Sequence, residues 1–584
     1  MHQMRKALFG SMVVVLSCAA FAVSDWRRGT RESIWPDGKI PNLQTHQIAG
    51  MTDEVKDADF LVSPRRQMPY LEWFEAPAHP NGACMILISG GGYQVCCDIG
   101  LVKIWKETFS KLGYQTVNLV YRTPRPHGLP VYQTAWEDGQ RAVRLVRSQA
   151  KARGFDPEKI GVIGMSAGGH LVTMLATSAL TPAYPKVDAL DDLPCHVNVA
   201  IANAPAYNTL GAANGDARPQ DGTTVVPTIN PCFKFDAKTC PIVFLHGAND
   251  PYTPNGSTLC YRELRKRKVP TELHLYADKG HGAFGLDRAL EFLNQIQFAS
   301  KLAPEVDLMK RFPDDAARAS YEKESVWPEG RMPDVRTNQC QPYIEWHLPK
   351  ELKTKSIQVI YSGGSYMGNG PDGFEVAPMR RYLNEKGMAV VTMRYRTPRP
   401  AGLPKHVTAW EDLQRAIRIV RAKAASKGLD PNRIGIMGSS AGGHLTLMGA
   451  TSSRMRAYAP IDALDDVSCK VQWAIAIYPA YALTDGLDCH NKTGGNDDAA
   501  VLAPEFLFDM DTPPILFVHG DADGWAAMNS VKAWEQLRRM NIQGELHTLA
   551  LRNHCFQRTA SPGTGSYTWM DRAWEFLTAK GFNK

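Results

Sequence analysis

At 584 residues the chain exceeds what one hydrophobic core organises, and two domains of about 270 residues are the natural division. A composition of 44% hydrophobic and 21% charged residues, without a low-complexity tract, excludes a disordered or fibrous chain. The net charge of +7 is small for this length and dispersed, which argues against a nucleic-acid binder; the densest basic run, Arg262 to Lys268, reads as the solvated face of a helix.

The first elements concern targeting. Met1 to Lys6 is basic, Ala7 to Ala19 apolar, and Ala20-Phe21-Ala22 has small residues at a cleavage-type spacing, so residues 1–22 read as a signal peptide and the protein as exported, periplasmic or secreted. A second reading takes Val15-Leu16-Ser17-Cys18 as a lipoprotein-like box with Cys18 lipidated. No later segment is long and apolar enough to span a membrane. The twelve cysteines include no C-x-x-C pair, so no metal site is expected; disulfides are allowed, but their connectivity is not readable.

From residue 25 onward the chain runs through one set of elements and then repeats it. Glu32-Ser33-Ile34-Trp35-Pro36 opens the first copy, followed by a polar stretch near 47–66 that reads as a surface insertion. Strands are expected at Met85–Ile88, Thr116–Val120, Ile160–Ile163 and Ile242–Leu245, with a helix at Trp136–Lys151. A charged linker at 306–323 separates domains at 25–305 and 324–584. The second copy repeats Y-R-T-P-R-P (Tyr121 and Tyr395), T-A-W-E-D, S-A-G-G-H-L and D-A-L-D-D at a constant offset of 274 residues, which only duplication explains. Strand–helix alternation predicts in each copy a mostly parallel sheet with helices on both faces, and chemistry beyond the carboxyl ends of the strands.

Gly164-Met165-Ser166-Ala167-Gly168 and Gly438-Ser439-Ser440-Ala441-Gly442 both fit G-x-S-x-G, each between an apolar strand and a helix. Ser166 and Ser440 are therefore the candidate nucleophiles. A hydroxyl needs a base, and the base a carboxylate to orient it. Four histidines recur in both copies. His170/His444 fall in the following helix, His246/His519 close a strand and His274/His547 lie within one. His281 and His554 lie in loops beyond the last strand and are the preferred bases. Asp250 and Asp523, in His-Gly-x-x-Asp after a strand, are the preferred acids; Asp521 is a rival whose counterpart is Ala248. The aspartates of D-A-L-D-D read as solvated or capping groups, and Asp138 and Asp412 as helix-opening residues favoured by the dipole. Ser89-Gly90-Gly91-Gly92-Tyr93 and Ser362-Gly363-Gly364-Ser365-Tyr366 supply oxyanion donors: Gly91, Gly92 and Ala167 in the first copy, Gly364, Ser365 and Ala441 in the second.

On W-P-x-G, S-G-G-G-Y, G-x-S-A-G-G-H-L, H-G-x-x-D and the late E-L-H…H, each copy resembles the bacterial acetyl esterase and acetylxylan esterase group of α/β-hydrolases. The resemblance covers nearly all of both domains. It implies tandem α/β-hydrolase domains that deacetylate plant polysaccharide or its oligomers, without a cofactor. The sequence departs from that group at Ser89 and Ser362, where Pro is usual, and in the frame of His554, which lacks the glycines flanking His281. Two rivals stay open: a serine peptidase of the prolyl-oligopeptidase kind, and one active esterase beside a degenerate glycan-binding copy.

Overall fold

The computed structural model describes residues 29–43, 68–96, 99–210, 228–312, 321–335, 338–368, 370–484 and 500–584. The expected signal peptide, Cys18 included, and the expected insertion near 47–66 lie outside the described residues.

The inner apolar runs form strands buried on both faces, the condition under which parallel strands lose alternation, and a short, largely exposed polar strand closes the outer edge of each copy. In the first copy these are β1 (Thr30–Ser33), β2 (Tyr70–Trp73), β3 (Cys84–Ile88), β4 (Gln115–Val120), β5 (Ile160–Met165), β6 (Val199–Asn203), β7 (Ile242–Gly247) and β8 (Thr271–Tyr276). In the second they are β9 (Lys323–Ser325), β10 (Tyr343–His347), β11 (Ile357–Tyr361), β12 (Ala389–Arg394), β13 (Ile434–Ser439), β14 (Trp473–Ile477), β15 (Ile515–Gly520) and β16 (Gly544–Leu549). β1–β2 and β2–β4 pair antiparallel, and β4-β3-β5-β6-β7-β8 run parallel. The second copy repeats this arrangement strand for strand.

The copies do not remain separate sheets. β8 pairs antiparallel with β16, His274 opposite His547, giving one sixteen-stranded sheet whose order is symmetric about that seam. His274 and His547 are equivalent positions, so a pseudo-twofold axis passes between them and the chain is in effect a fused isologous dimer. Their Nδ1 atoms lie 2.9 Å apart, and each Nε2 lies 3.0 Å from a buried carboxylate, Glu272 or Glu545.

Helices cover both faces. Those of the first copy are α1 (Ile99–Lys111), α2 (Gln133–Gln149), α3 (Ala167–Thr177), α4 (Asn255–Lys266) and α5 (Leu286–Gln295). Those of the second are α6 (Ala377–Glu385), α7 (Val407–Ala424), α8 (Ala441–Thr451), α9 (Met528–Arg539) and α10 (Gly565–Ala579). Under α2–α4 and α7–α9 one apolar layer runs unbroken through both copies, whereas α1 with α5 and α6 with α10 cover separate cores on the other face.

Two expectations need correction. The basic run at 262–268 is not a solvated face throughout: Arg262 pairs with Glu535 at 2.7 Å and Arg265 with Asp521 at 2.7 Å, because α4 borders the seam. Asp138 and Asp412 do not open helices. α2 begins at Gln133 and α7 at Val407, and both carboxylates are buried, Asp138 accepting Trp35 Nε1 (2.8 Å) and Arg122 Nε (2.9 Å), and Asp412 accepting from Trp327 and Arg396. Within the expected linker, Val306–Asp307 pairs with Thr559–Ala560, and Leu308 is buried in the core beneath α6 and α10. Asp188 does cap, closing a capping box on a short 3-10 helix, while also binding Arg141 at 2.6 Å. Among the described residues no two cysteines are joined in a disulfide.

Candidate active site

The G-x-S-x-G turn is a matter of space. A Cβ at Gly164 would stand 2.5 Å from the Gly168 carbonyl oxygen, and one at Gly168 would stand 2.4 Å from that of Ser89; only glycine lets β5 turn sharply into α3. The turn forces Ser166 to φ 57, ψ −121 and Ser440 to φ 57, ψ −120, a strained geometry that lifts each hydroxyl beyond the strand end.

In the first copy His281 Nε2 lies 2.9 Å from Ser166 Oγ, and His281 Nδ1 lies 2.8 Å from Asp250 Oδ2. In the second the corresponding distances are 2.8 Å to Ser440 and 2.7 Å to Asp523. The six residues expected as nucleophile, base and acid thus meet in two chains of hydrogen bonds, drawn from the turn after β5 and the loops after β7 and β8, and their equivalents. The recurrent histidines that were set aside fall elsewhere. His170 and His444 are buried against Tyr93 and Tyr366 (both 2.8 Å), and His274 and His547 meet at the seam. His246 and His519 do contribute, standing behind the acids at 3.1 and 3.2 Å.

Each acid is fully buried yet held well below the usual carboxylate range. Burial alone would raise it, but the two flanking imidazoles and hydrogen bonds to them outweigh desolvation. An ionised Asp250, further fixed by the Tyr252 N–H at 2.8 Å, directs the Nδ1–H of His281 toward itself and leaves Nε2 to accept the serine proton. Asp521, the rival acid, instead accepts from Tyr261 and Arg265 across the seam, both at 2.7 Å.

The Gly-rich turns pack against the nucleophiles: a Cβ on Gly90 or Gly363 would stand 3.0 or 2.7 Å from the serine Cβ. Positive φ at Gly91, Gly92, Gly364 and Ser365 shapes these turns. Among the described residues, the N–H groups of Gly91, Gly92 and Ala167, and of Gly364, Ser365 and Ala441, have no backbone acceptor. The Gly363 N–H, by contrast, is taken by Glu375 at 2.7 Å.

Sequence reasoning missed what stands behind the base. In the first copy the Tyr252 ring lies 4.7 Å from the His281 ring; in the second the Tyr478 ring lies 4.7 Å from the His554 ring. Tyr478 donates to Glu375 at 3.1 Å and also bonds Gln557, which accepts from Ser439 at 2.7 Å. Burial pushes the Glu375 carboxyl up. The repeat offset places Leu101, Ala204, Phe284 and Met165 at the matching positions, so four apolar residues of the first copy correspond to a polar network in the second. Aligning the copies residue by residue would have revealed it.

The BD-FAE family model matches residues 75–263 and 344–537, one segment in each copy and more than half of the chain together. Among curated proteins, LipM of Mycobacterium tuberculosis, named a probable carboxylic ester hydrolase, is 25% identical over 37% of this chain. An acetylxylan esterase of Xylanibacter ruminicola is 33% identical over 20% of it. The chain spans 53% of the former and 23% of the latter. A solved acetyl ester-xyloside bifunctional hydrolase of Caldicellulosiruptor lactoaceticus aligns at 23% identity over 45% of this chain and 97% of its own, with a TM-score of 0.37. With a Ser–His–Asp arrangement on a duplicated α/β-hydrolase sheet, the chain belongs to the BD-FAE family.

Proposed function

We propose that the chain is an exported serine esterase with two sites, removing O-acetyl groups from plant polysaccharides such as xylan or from their oligosaccharides. The observation that carries this reading is the complete Ser–His–Asp relay in each copy, with serine-to-histidine distances of 2.9 and 2.8 Å, beside uncommitted backbone donors. The kinship with an acetylxylan esterase supports the substrate class.

The serine Oγ attacks the acetyl carbonyl carbon as the histidine Nε2 takes its proton. The carbonyl oxygen becomes an oxyanion held by N–H groups of the Gly-rich turn and of Ala167 or Ala441. Collapse breaks the ester C–O bond, and the histidine returns its proton to the departing sugar hydroxyl. Water, deprotonated by the same histidine, then attacks the acetyl-serine, and acetate leaves as the serine regains its proton. No cofactor enters the scheme.

Acetate release from acetylated xylan and its oligomers by wild type and by the Ser166→Ala/Ser440→Ala double variant tests the proposal. Release is expected in the wild type and lost in the double variant; equal release from both would overturn it. Cleavage of prolyl peptides with no acetate release would favour the peptidase reading.

A further inference from the structure

In the second copy, one helical turn past the nucleophile, the structure gathers two imidazoles and a carboxylate with no part in the relay. His444 Nε2 lies 3.0 Å from Glu505 Oε1, and His406 Nδ1 lies 3.9 Å from the same oxygen. The imidazole centroids are 5.4 Å apart, and one ligating atom from each of the three residues lies within 4.8 Å of the others. We propose that His406, His444 and Glu505 form a binding site for a divalent cation of the zinc class.

Three features support a built site. First, two histidines and one glutamate with an open position is a donor set that zinc takes, at ligand distances of about 2.0–2.2 Å. Ligand atoms around a tetrahedral ion at that distance stand about 3.3–3.6 Å apart, which the 3.0 and 3.9 Å separations bracket. His406 is the most loosely held of the three, with 12% of its side chain exposed and the longer of the two distances to Glu505. Second, the donors are supported from outside. Tyr366 Oη lies 2.8 Å from His444 Nδ1, fixing which nitrogen faces the cluster, and Ser452 Oγ donates to the Glu505 carbonyl at 2.9 Å, fixing the loop.

Third, the first copy supplies a comparison on the same backbone. There the matching residues are Tyr132, His170 and Cys232; Tyr93 lies 2.8 Å from His170 Nδ1, and Ser178 donates to the Cys232 carbonyl at 2.9 Å. The frame is shared and the central histidine is kept, but the two flanking groups are tyrosine and cysteine in place of histidine and glutamate. The ion would tie the start of α7, the body of α8 and the 505 loop together. Through Tyr366 it would also brace the Gly-rich turn. Lys405, whose ammonium lies over the Tyr481 ring at 4.3 Å, flanks the site on a flexible stem.

Zinc titration of the chelator-stripped full chain, followed by bound-metal analysis and thermal unfolding, tests this. The wild type is expected to retain one zinc more than His406→Tyr or Glu505→Gln, and to gain Tm with zinc where both variants do not. Glu505→Gln, nearly isosteric, guards against a folding defect in the other variant. Cobalt loading should give a spectrum without a thiolate charge-transfer band. Equal zinc retention by wild type and both variants, no zinc-linked rise in Tm, or a thiolate band pointing to Cys232 would overturn the proposal.

Discussion

At the scale of residues the relay was legible because each member is tied to a local constraint that sequence records. A serine between glycines at a strand end, an aspartate after a strand, and a histidine in the loop beyond the last strand leave few alternatives. The buried histidines outside the relay are separable by position, and burial also pushes His170 down to about 3. Illegible were contacts made between segments remote in sequence and absent from the other copy, such as Tyr478 on Glu375. Asp250 is expected to act by orientation: Asp250→Asn, studied in a Ser440→Ala background, should keep the fold and lower kcat by about 10⁴-fold. A loss under tenfold would show that Asp250 does not set the tautomer of His281. The polar network gives a second residue-scale expectation. Glu375→Leu, which installs the residue of the first copy, should alter kcat in the second site and leave the first site unchanged, measured in Ser166→Ala and Ser440→Ala backgrounds respectively.

At the scale of elements, strand–helix alternation was readable since buried parallel strands show as continuous apolar runs, and the four expected strands of the first copy lie within β3, β4, β5 and β7. The two-residue pairing of 306–307 with 559–560 was not, as so short an element has no period of its own. Helix α3 carries a pH signature. Burial depresses His170, so between about pH 6.5, where an unfolded histidine titrates, and its folded value the unfolded chain binds a proton that the folded chain cannot. Stability from this group is therefore present above about pH 6.5 and lost as pH falls toward the folded value. Urea unfolding at about pH 7 and about pH 5 should show a smaller loss in His170→Gln than in wild type. An equal loss would place the acid sensitivity elsewhere.

At the scale of the whole molecule, the repeat was plain in the sequence, but its consequence was not. Nothing local says that β8 and β16 join, since an edge strand and a paired strand carry the same apolar pattern. The seam also accounts for charges that sequence left as surface. Arg262 and Glu535 occupy equivalent positions 273 residues apart and face each other at 2.7 Å. A dimer of identical copies would oppose like charges there; duplication allowed the two positions to diverge into a pair. Arg262→Glu and Glu535→Arg should each destabilise the chain, and the double swap should recover on the order of 1–3 kcal/mol in a double-mutant cycle by chemical unfolding. Additive losses would mean that the pair contributes nothing across the seam.

The proposed function requires two competent serine nucleophiles in one chain. Labelling with a fluorophosphonate probe, counted by intact mass, reads their number. Two labels are expected on the wild type, one on Ser166→Ala or Ser440→Ala, and none on the double variant. A single label on the wild type, or any label on the double variant, would contradict it.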